Sequence, residues 1–245
     1  MHSKQLSKPP IKEAIISVSF KNVASVELLN SFCDSTFIKK NYPIRNNLMT
    51  LEVKSDANIK NPISTSHKHE GFLLSCGAGC NKSIQSKIGQ LSFHNTDSYI
   101  GWENFYDEFK KIWKNYCETV GKMDVTQLGV RYINQLYFDL PLQNGFEEFL
   151  KFLPIIPEGI NRSVNNFFIQ LNVPNENNTL TGIITETLGI LPKDKLQVIL
   201  DLNVIKAKDF VCNSNEMWAS FNDIRNFKNH LFFKSLTDKA IKQYE

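Results

Sequence analysis

The sequence predicts an α+β protein assembled from two copies of one β-α-β-β-β-α unit, residues 11–121 and 124–245, with mostly antiparallel sheet and long helices packed on one side. Three observations carry this expectation. Strand and helix patterns recur in the same order in both halves. The first strand of each half ends in a phenylalanine, Phe20 and Phe138. The last helix of each opens on Trp-x-x-Phe, Trp102 to Phe105 and Trp218 to Phe221. Repeats this long point to gene duplication, because solenoid units run at roughly 20–50 residues. Such halves meet about a pseudo-twofold axis as an intimate pair or a single domain, and the cleft between them is the expected place for a ligand.

Each element follows from a local pattern. Pro9-Pro10 favours extended backbone and leads into the β-rich run Ile11 to Phe20. Ser25 can cap a helix over Val26 to Phe32, with Val26 and Leu29 on one face. Strands are expected at Asn47 to Val53, Gly71 to Cys76 and Lys87 to Phe93, with a polar, Pro62-bearing loop over Ser55 to Glu70. The strongest helix signal is Trp102, Phe105, Phe109, Ile112, Trp113, Tyr116 and Val120 at spacings of three and four, ended by Gly121. In the second half, strands are expected at Thr126 to Phe138, Val164 to Val173, Leu180 to Leu188 and Lys195 to Ile205. A short helix is expected over Phe146 to Leu153, and a final helix opening at Asn213 or Ser214 and carrying Trp218, Phe221, Ile224 and Leu231.

Composition narrows the classes. The 28 basic and 25 acidic residues nearly cancel, and the longest basic runs are pairs, Lys39-Lys40 and Lys110-Lys111. Phosphate-backbone binding draws on a concentrated basic patch, so nucleic acid is not an expected partner. No apolar run approaches the roughly 20 residues that span a bilayer, so no membrane role is expected. The polar start lacks an apolar signal core, and five cysteines without a disulfide rhythm suit a reducing compartment; both point to the cytoplasm.

Several segments resemble a known family. Lys8-Pro9-Pro10-Ile11-Lys12-Glu13-Ala14, Tyr99-Ile100-Gly101-Trp102-Glu103-Asn104-Phe105, Gly129-Val130-Arg131-Tyr132-Ile133-Asn134, Leu200-Asp201-Leu202 and Asn229 through Thr237 are similar to segments of a sporadically distributed, functionally uncharacterised bacterial family of about this chain length. The resemblance implies an accessory-genome protein, inherited patchily as defence, toxin–antitoxin and immunity genes are. It brings no catalytic residues.

Candidate chemistry is sparse. Cys76-Gly77-Ala78-Gly79-Cys80, with His67, His69 and His94 nearby in sequence, offers zinc-type ligands, but C-x3-C at a strand end is a poor spacing. A buried Cys76 beside an exposed loop is the simpler reading, and no metal or cofactor is expected. A cysteine nucleophile with His94 as base has no favouring signal, and the glycine turn lacks the Lys-Ser/Thr of a phosphate loop. Arg131 stands out because its strand carries large side chains on both faces: Val130, Tyr132 and Leu136 against Ile133 and Tyr137. A strand covered on both sides would bury the guanidinium, which then requires a partner. Aligning Phe20 with Phe138 places Glu13 opposite Arg131 as its equivalent, so the expected pair is Glu13–Arg131. The binding residues expected are Arg131, Glu13, Tyr132, Asn134, Trp102 and Trp218. The expected function is a non-enzymatic interaction protein whose partner is another protein. The alternative is a small-molecule module with its ligand between the halves, against Tyr132, Asn134 and the two tryptophans.

Overall fold

Strands β1 (Ile11–Phe20), β2 (Ile44–Ser55), β3 (Ile63–Ser75), β4 (Lys82–Lys87), β5 (Gln90–Thr96), β6 (Val125–Asp139), β7 (Phe168–Pro174), β8 (Thr181–Leu188) and β9 (Lys195–Phe210) form an antiparallel sheet in the order β2-β3-β4-β5-β1-β6-β9-β8-β7. Helices α1 (Val26–Cys33), α2 (Thr36–Asn41), α3 (Trp102–Val120), α4 (Asn215–Ser235) and α5 (Asp238–Lys242) complete the α+β fold. This computed structural model describes residues 6–21, 25–55, 63–96, 99–142, 145–153, 157, 159, 166–189 and 195–245. The chain divides into two compact units, one of Met1–Ile15, Gln127–Lys208 and Asn213–Glu245, the other of Ile16–Thr126 and Asp209–Cys212.

In the second of these units α3 does what its periodicity predicts. Trp102, Phe105, Tyr106, Phe109, Ile112, Trp113, Tyr116 and Val120 are all buried. The stripe packs ring against ring: Phe105 stacks on Phe93 of β5 at 5.2 Å, and Tyr116 meets Phe32 of α1 edge-on at 5.0 Å. Each large apolar side chain removed from water stabilises the fold by about 1.5–3 kcal/mol, far more than the exposed Lys110–Asp107 pair. Ser25 caps α1 by accepting from the Leu28 N–H, as its sequence position implies.

In the first unit burial alternates along β6 from Val130 and along β9 from Val198. Along β6, Val130, Tyr132, Asn134, Leu136 and Phe138 are buried while Arg131 and Tyr137 are exposed and Ile133 and Gln135 are half-buried. Along β9, Leu196, Val198, Leu200, Leu202 and Val204 are buried, and Ile199, Asp201 and Asn203 are half-buried. Helix α4 lies on the buried face. A Cβ on Gly182 of β8 would stand 2.4 Å from the Leu231 Cδ1, so glycine permits this close approach. Ser214 caps α4, accepting from the Met217 N–H at 3.1 Å.

Several expectations are corrected. The one strand expected over Lys87 to Phe93 is two, β4 and β5, joined by a tight turn at Ile88-Gly89 in which Gly89 takes φ +81°. Four strands, not three, therefore follow α1 and α2. Most of the loop expected over Ser55 to Glu70 is strand: β3 begins at Ile63 and pairs with β2, while 56–62 lie outside the described residues. The helix expected over Phe146 to Leu153 is a single 3-10 turn, Gly145–Glu148. Beyond it the backbone bonds elsewhere: Lys151 N–H donates to the Ser235 carbonyl at 2.9 Å, and Thr237 N–H to that of Phe149 at 3.0 Å. Of the strand expected at Val164 to Val173, Val164 and Asn165 lie outside the described residues, and β7 starts at Phe168. Cys76 and Cys80, expected as free thiols, are joined in a disulfide across the Gly77–Gly79 turn, with Cα atoms 5.6 Å apart.

Candidate functional site

The pleat of β6 separates the expected site residues. Successive side chains on a strand point to opposite faces. Arg131 therefore lies on one face and Tyr132 and Asn134 on the other, and the structure corrects the expectation that both faces of this strand are covered. The Arg131 side chain is 44% exposed.

Its partner is Asp201 of the neighbouring strand β9. The guanidinium grips that carboxylate with two nitrogens: Nε donates to Oδ1 at 2.9 Å and to Oδ2 at 3.1 Å, and Nη2 donates to Oδ2 at 2.5 Å. This fork-to-fork geometry is the strongest form of the arginine–carboxylate contact. The hydrogen bond donated to Asp201 is the main reason the Arg131 pKa is raised, and the charge of Glu13 adds the smallest share. Glu13 is thus an electrostatic neighbour, and Asp201 takes the hydrogen-bonding role expected of it.

Register extends this pair into a polar row. Asp201 stands opposite Thr185 of β8, and Thr185 opposite Gln170 of β7, whose amide donates to the Thr185 hydroxyl at 3.2 Å. Of the flanking rows one is more apolar and the other carries two amides. Phe168, Thr187 and Ile199 face one another in one, and Asn172, Ile183 and Asn203 in the other. Phe168 is 68% exposed. The face as a whole is a bidentate ion pair rimmed by Ile133, Ile199, Ile183 and Phe168, a mixture of rigid polar and apolar contacts.

The opposite face of the same strands is closed by α4. Tyr132 and Asn134 are buried there. The Lys228 ammonium of α4 sits over the Tyr132 ring, 3.5 Å from its centroid. The Asn134 amide donates to the Leu200 carbonyl at 3.0 Å and to that of Tyr132 at 3.3 Å, so it ties β6 to β9. Lys228 is itself buried, and burial, then the charge of Arg225, pull its amine down to about 7. Glu186 of β8 is 1% exposed, neither carboxyl oxygen has a hydrogen-bond partner, and burial pushes it up to about 8. These two groups escaped the sequence reading although their positions were informative. Lys228 interrupts an apolar stripe four residues after Ile224 and three before Leu231, and Glu186 shares the alternation of Ile184.

The tryptophans divide between the units. Trp102 of α3 is buried, stacked on Tyr106 at 5.0 Å. Trp218 of α4 is half-buried beside Phe221, with centroids 6.1 Å apart. Among the described residues no three of His, Cys, Asp or Glu gather as a metal site. No described helix is long and apolar enough to cross a membrane. Comparison with protein-family models and with curated proteins returned no match.

Proposed function

We propose that this chain is a non-enzymatic interaction protein of a bacterial accessory system, an immunity- or antitoxin-like partner or a phage-defence component. The observation that carries the reading is the sheet face opposite α4, where a forked Arg131–Asp201 pair stands amid Ile133, Ile183, Ile199 and Phe168. Protein interfaces favour arginine and aromatic anchors set in apolar surroundings over lysine and glutamate. The face lies on strands, so its side chains are held in place before a partner arrives, which lowers the entropy cost of docking. The resemblance to a patchily inherited bacterial family points the same way.

The small-molecule alternative fares less well at these positions. Tyr132 and Asn134 lie beneath α4, engaged by Lys228 and by backbone carbonyls. Asp201 already occupies the guanidinium that an anionic ligand would need.

We also propose that residues 11–121 and 124–245 descend from one duplicated unit. Strand order supports this. Inside the edge strand β2, the order β3-β4-β5-β1 runs inward as β7-β8-β9-β6 does from the other edge, and the Trp-x-x-Phe helices α3 and α4 follow β5 and β9 in the chain.

Comparative co-purification tests the function. Ile133→Glu and Ile199→Glu place charges on the proposed face, whereas Ile100→Glu alters an exposed residue of α3's unit. In lysate of the native host, one protein retained by wild type and by Ile100→Glu should be lost from both face variants, with circular dichroism unchanged. Identical retention by all four proteins would count against the reading.

A further inference from the structure

The five cysteines fall into three chemical situations. Cys76 and Cys80 are already bonded to each other. Cys33 is buried, and burial pushes its thiol up to about 11, so it holds its proton and reacts slowly. Cys117, in the last turns of α3, and Cys212, in the turn between β9 and α4, are half-buried, with sulfurs 3.8 Å apart. That is sulfur–sulfur contact between residues 95 positions apart in the chain. Both lie in the same compact unit, which takes in Asp209–Cys212. The rest of that short segment is anchored as well: Phe210 is buried, and Asp209 pairs with Lys21 at 3.0 Å.

We propose that Cys117 and Cys212 are a redox modification site, a dithiol that closes to a disulfide under a peroxide or a small-molecule disulfide. Closing the disulfide brings the sulfurs from contact to the bonding distance of about 2.05 Å. With a peroxide, one thiolate attacks the O–O bond and becomes a sulfenic acid, and one water is released. The second thiolate attacks that sulfur, the S–O bond breaks, the S–S bond forms and a second water leaves. Two electrons pass from the pair to the peroxide. With oxidised glutathione, one thiolate attacks the glutathione disulfide, its S–S bond breaks, one glutathione thiolate leaves and a mixed disulfide forms; the second thiolate then displaces the other glutathione thiolate. The closed form pins the end of α3 to the β9–α4 turn. In a reducing compartment such a bond is transient, which is the behaviour of redox-sensing cysteines.

The test is peptide mapping of the full chain after treatment with hydrogen peroxide or oxidised glutathione and alkylation under denaturing conditions. A linked Cys117–Cys212 peptide should form at a rate independent of protein concentration, while Cys33 remains alkylated. In Cys212→Ser, a dimedone-reactive sulfenic acid or a glutathione adduct should persist on Cys117. Closure of so long a loop should raise the melting temperature by on the order of 5–10 °C, reversibly with reductant. Recovery of Cys117 and Cys212 as separately alkylated, glutathionylated or sulfinic residues in treated wild type would overturn the proposal.

Discussion

At the scale of single residues, Arg131 illustrates how a pleat redirects an inference. The sequence marked it as a strand arginine in need of a carboxylate, and it has one. The carboxylate is Asp201, half-buried on the adjoining strand. The alternation of Val130, Tyr132, Asn134 and Leu136 against Arg131, Ile133, Gln135 and Tyr137 was legible. The choice of which face the helices cover was not, because a branched aliphatic residue and a tyrosine occur on both. With the guanidinium nearly half exposed, solvent screens the pair, so its loss is mild. Arg131→Met should cost about 1 kcal/mol or less, and the double-mutant cycle with Asp201→Leu should show coupling of about 0.5–1 kcal/mol. The cycle with Glu13→Leu should show less. Chemical denaturation measures both, and a larger coupling to Glu13 than to Asp201 would contradict the assignment.

Two buried groups, Glu186 and Lys228, each give a pH signature with a definite sign. The carboxyl of Glu186 titrates higher in the folded chain, near 8, than in the unfolded one, so its contribution is fully present below the ordinary carboxylate range and is lost as pH rises toward 8. Lys228 titrates lower when folded, near 7, so its contribution improves from pH 7 upward toward the ordinary lysine value. Each group acts at up to about 1.4 kcal/mol per pH unit within its own window. Stability should therefore pass through a local minimum near neutral to mildly alkaline pH. Glu186→Gln should flatten the fall between the ordinary carboxylate range and about pH 8. Lys228→Met should stabilise more in acid than in alkali. Unfolding midpoints across pH give the reading, and an unchanged acid-side slope in Glu186→Gln would show that this carboxyl does not carry it.

At the scale of elements, legibility tracked burial. Helix α3 was readable because eight of its side chains share one buried face. Trp102→Ala should accordingly cost about 3–5 kcal/mol, the range for a core aromatic. An unchanged denaturation midpoint in that variant would mean the face is exposed and serves a partner instead. Strand β6 was readable for the same reason, Ser25 located the start of α1 through cap chemistry, and of the two residues expected to open α4, Asn213 or Ser214, Ser214 is the cap. The first half of β3 was hidden because Ile63 to His69 pairs only with β2, so no hydrophobic alternation was imposed on it. The turn at Gly89 did leave a sign, a glycine in a strand pattern, which the uninterrupted reading of Lys87 to Phe93 passed over. Helix α2 was missed although Ser35 caps it, accepting from the Ile38 N–H at 3.3 Å, because six residues carry too little periodicity.

At the scale of the whole molecule, the order of elements was more legible than their chemistry. The α+β class and the antiparallel sheet followed from counting patterns. The proposed duplication predicts that β1, β5, β4 and β3 superpose on β6, β9, β8 and β7, with Phe20 falling on Phe138 and Trp102 on Trp218. A best fit that shifts either pair would remove the claim. The proposed interaction face was harder to find because it is defined by register: Gln170, Thr185 and Asp201 are scattered along the sequence and become a row only when three strands align. The most direct measurement of the central claim is photo-crosslinking in the living host with a benzophenone amino acid at position 133. The account predicts a discrete adduct to one protein, weakened by Arg131→Ala and missing when the probe stands at position 100. No adduct at position 133, or the same adduct from both positions, would contradict it.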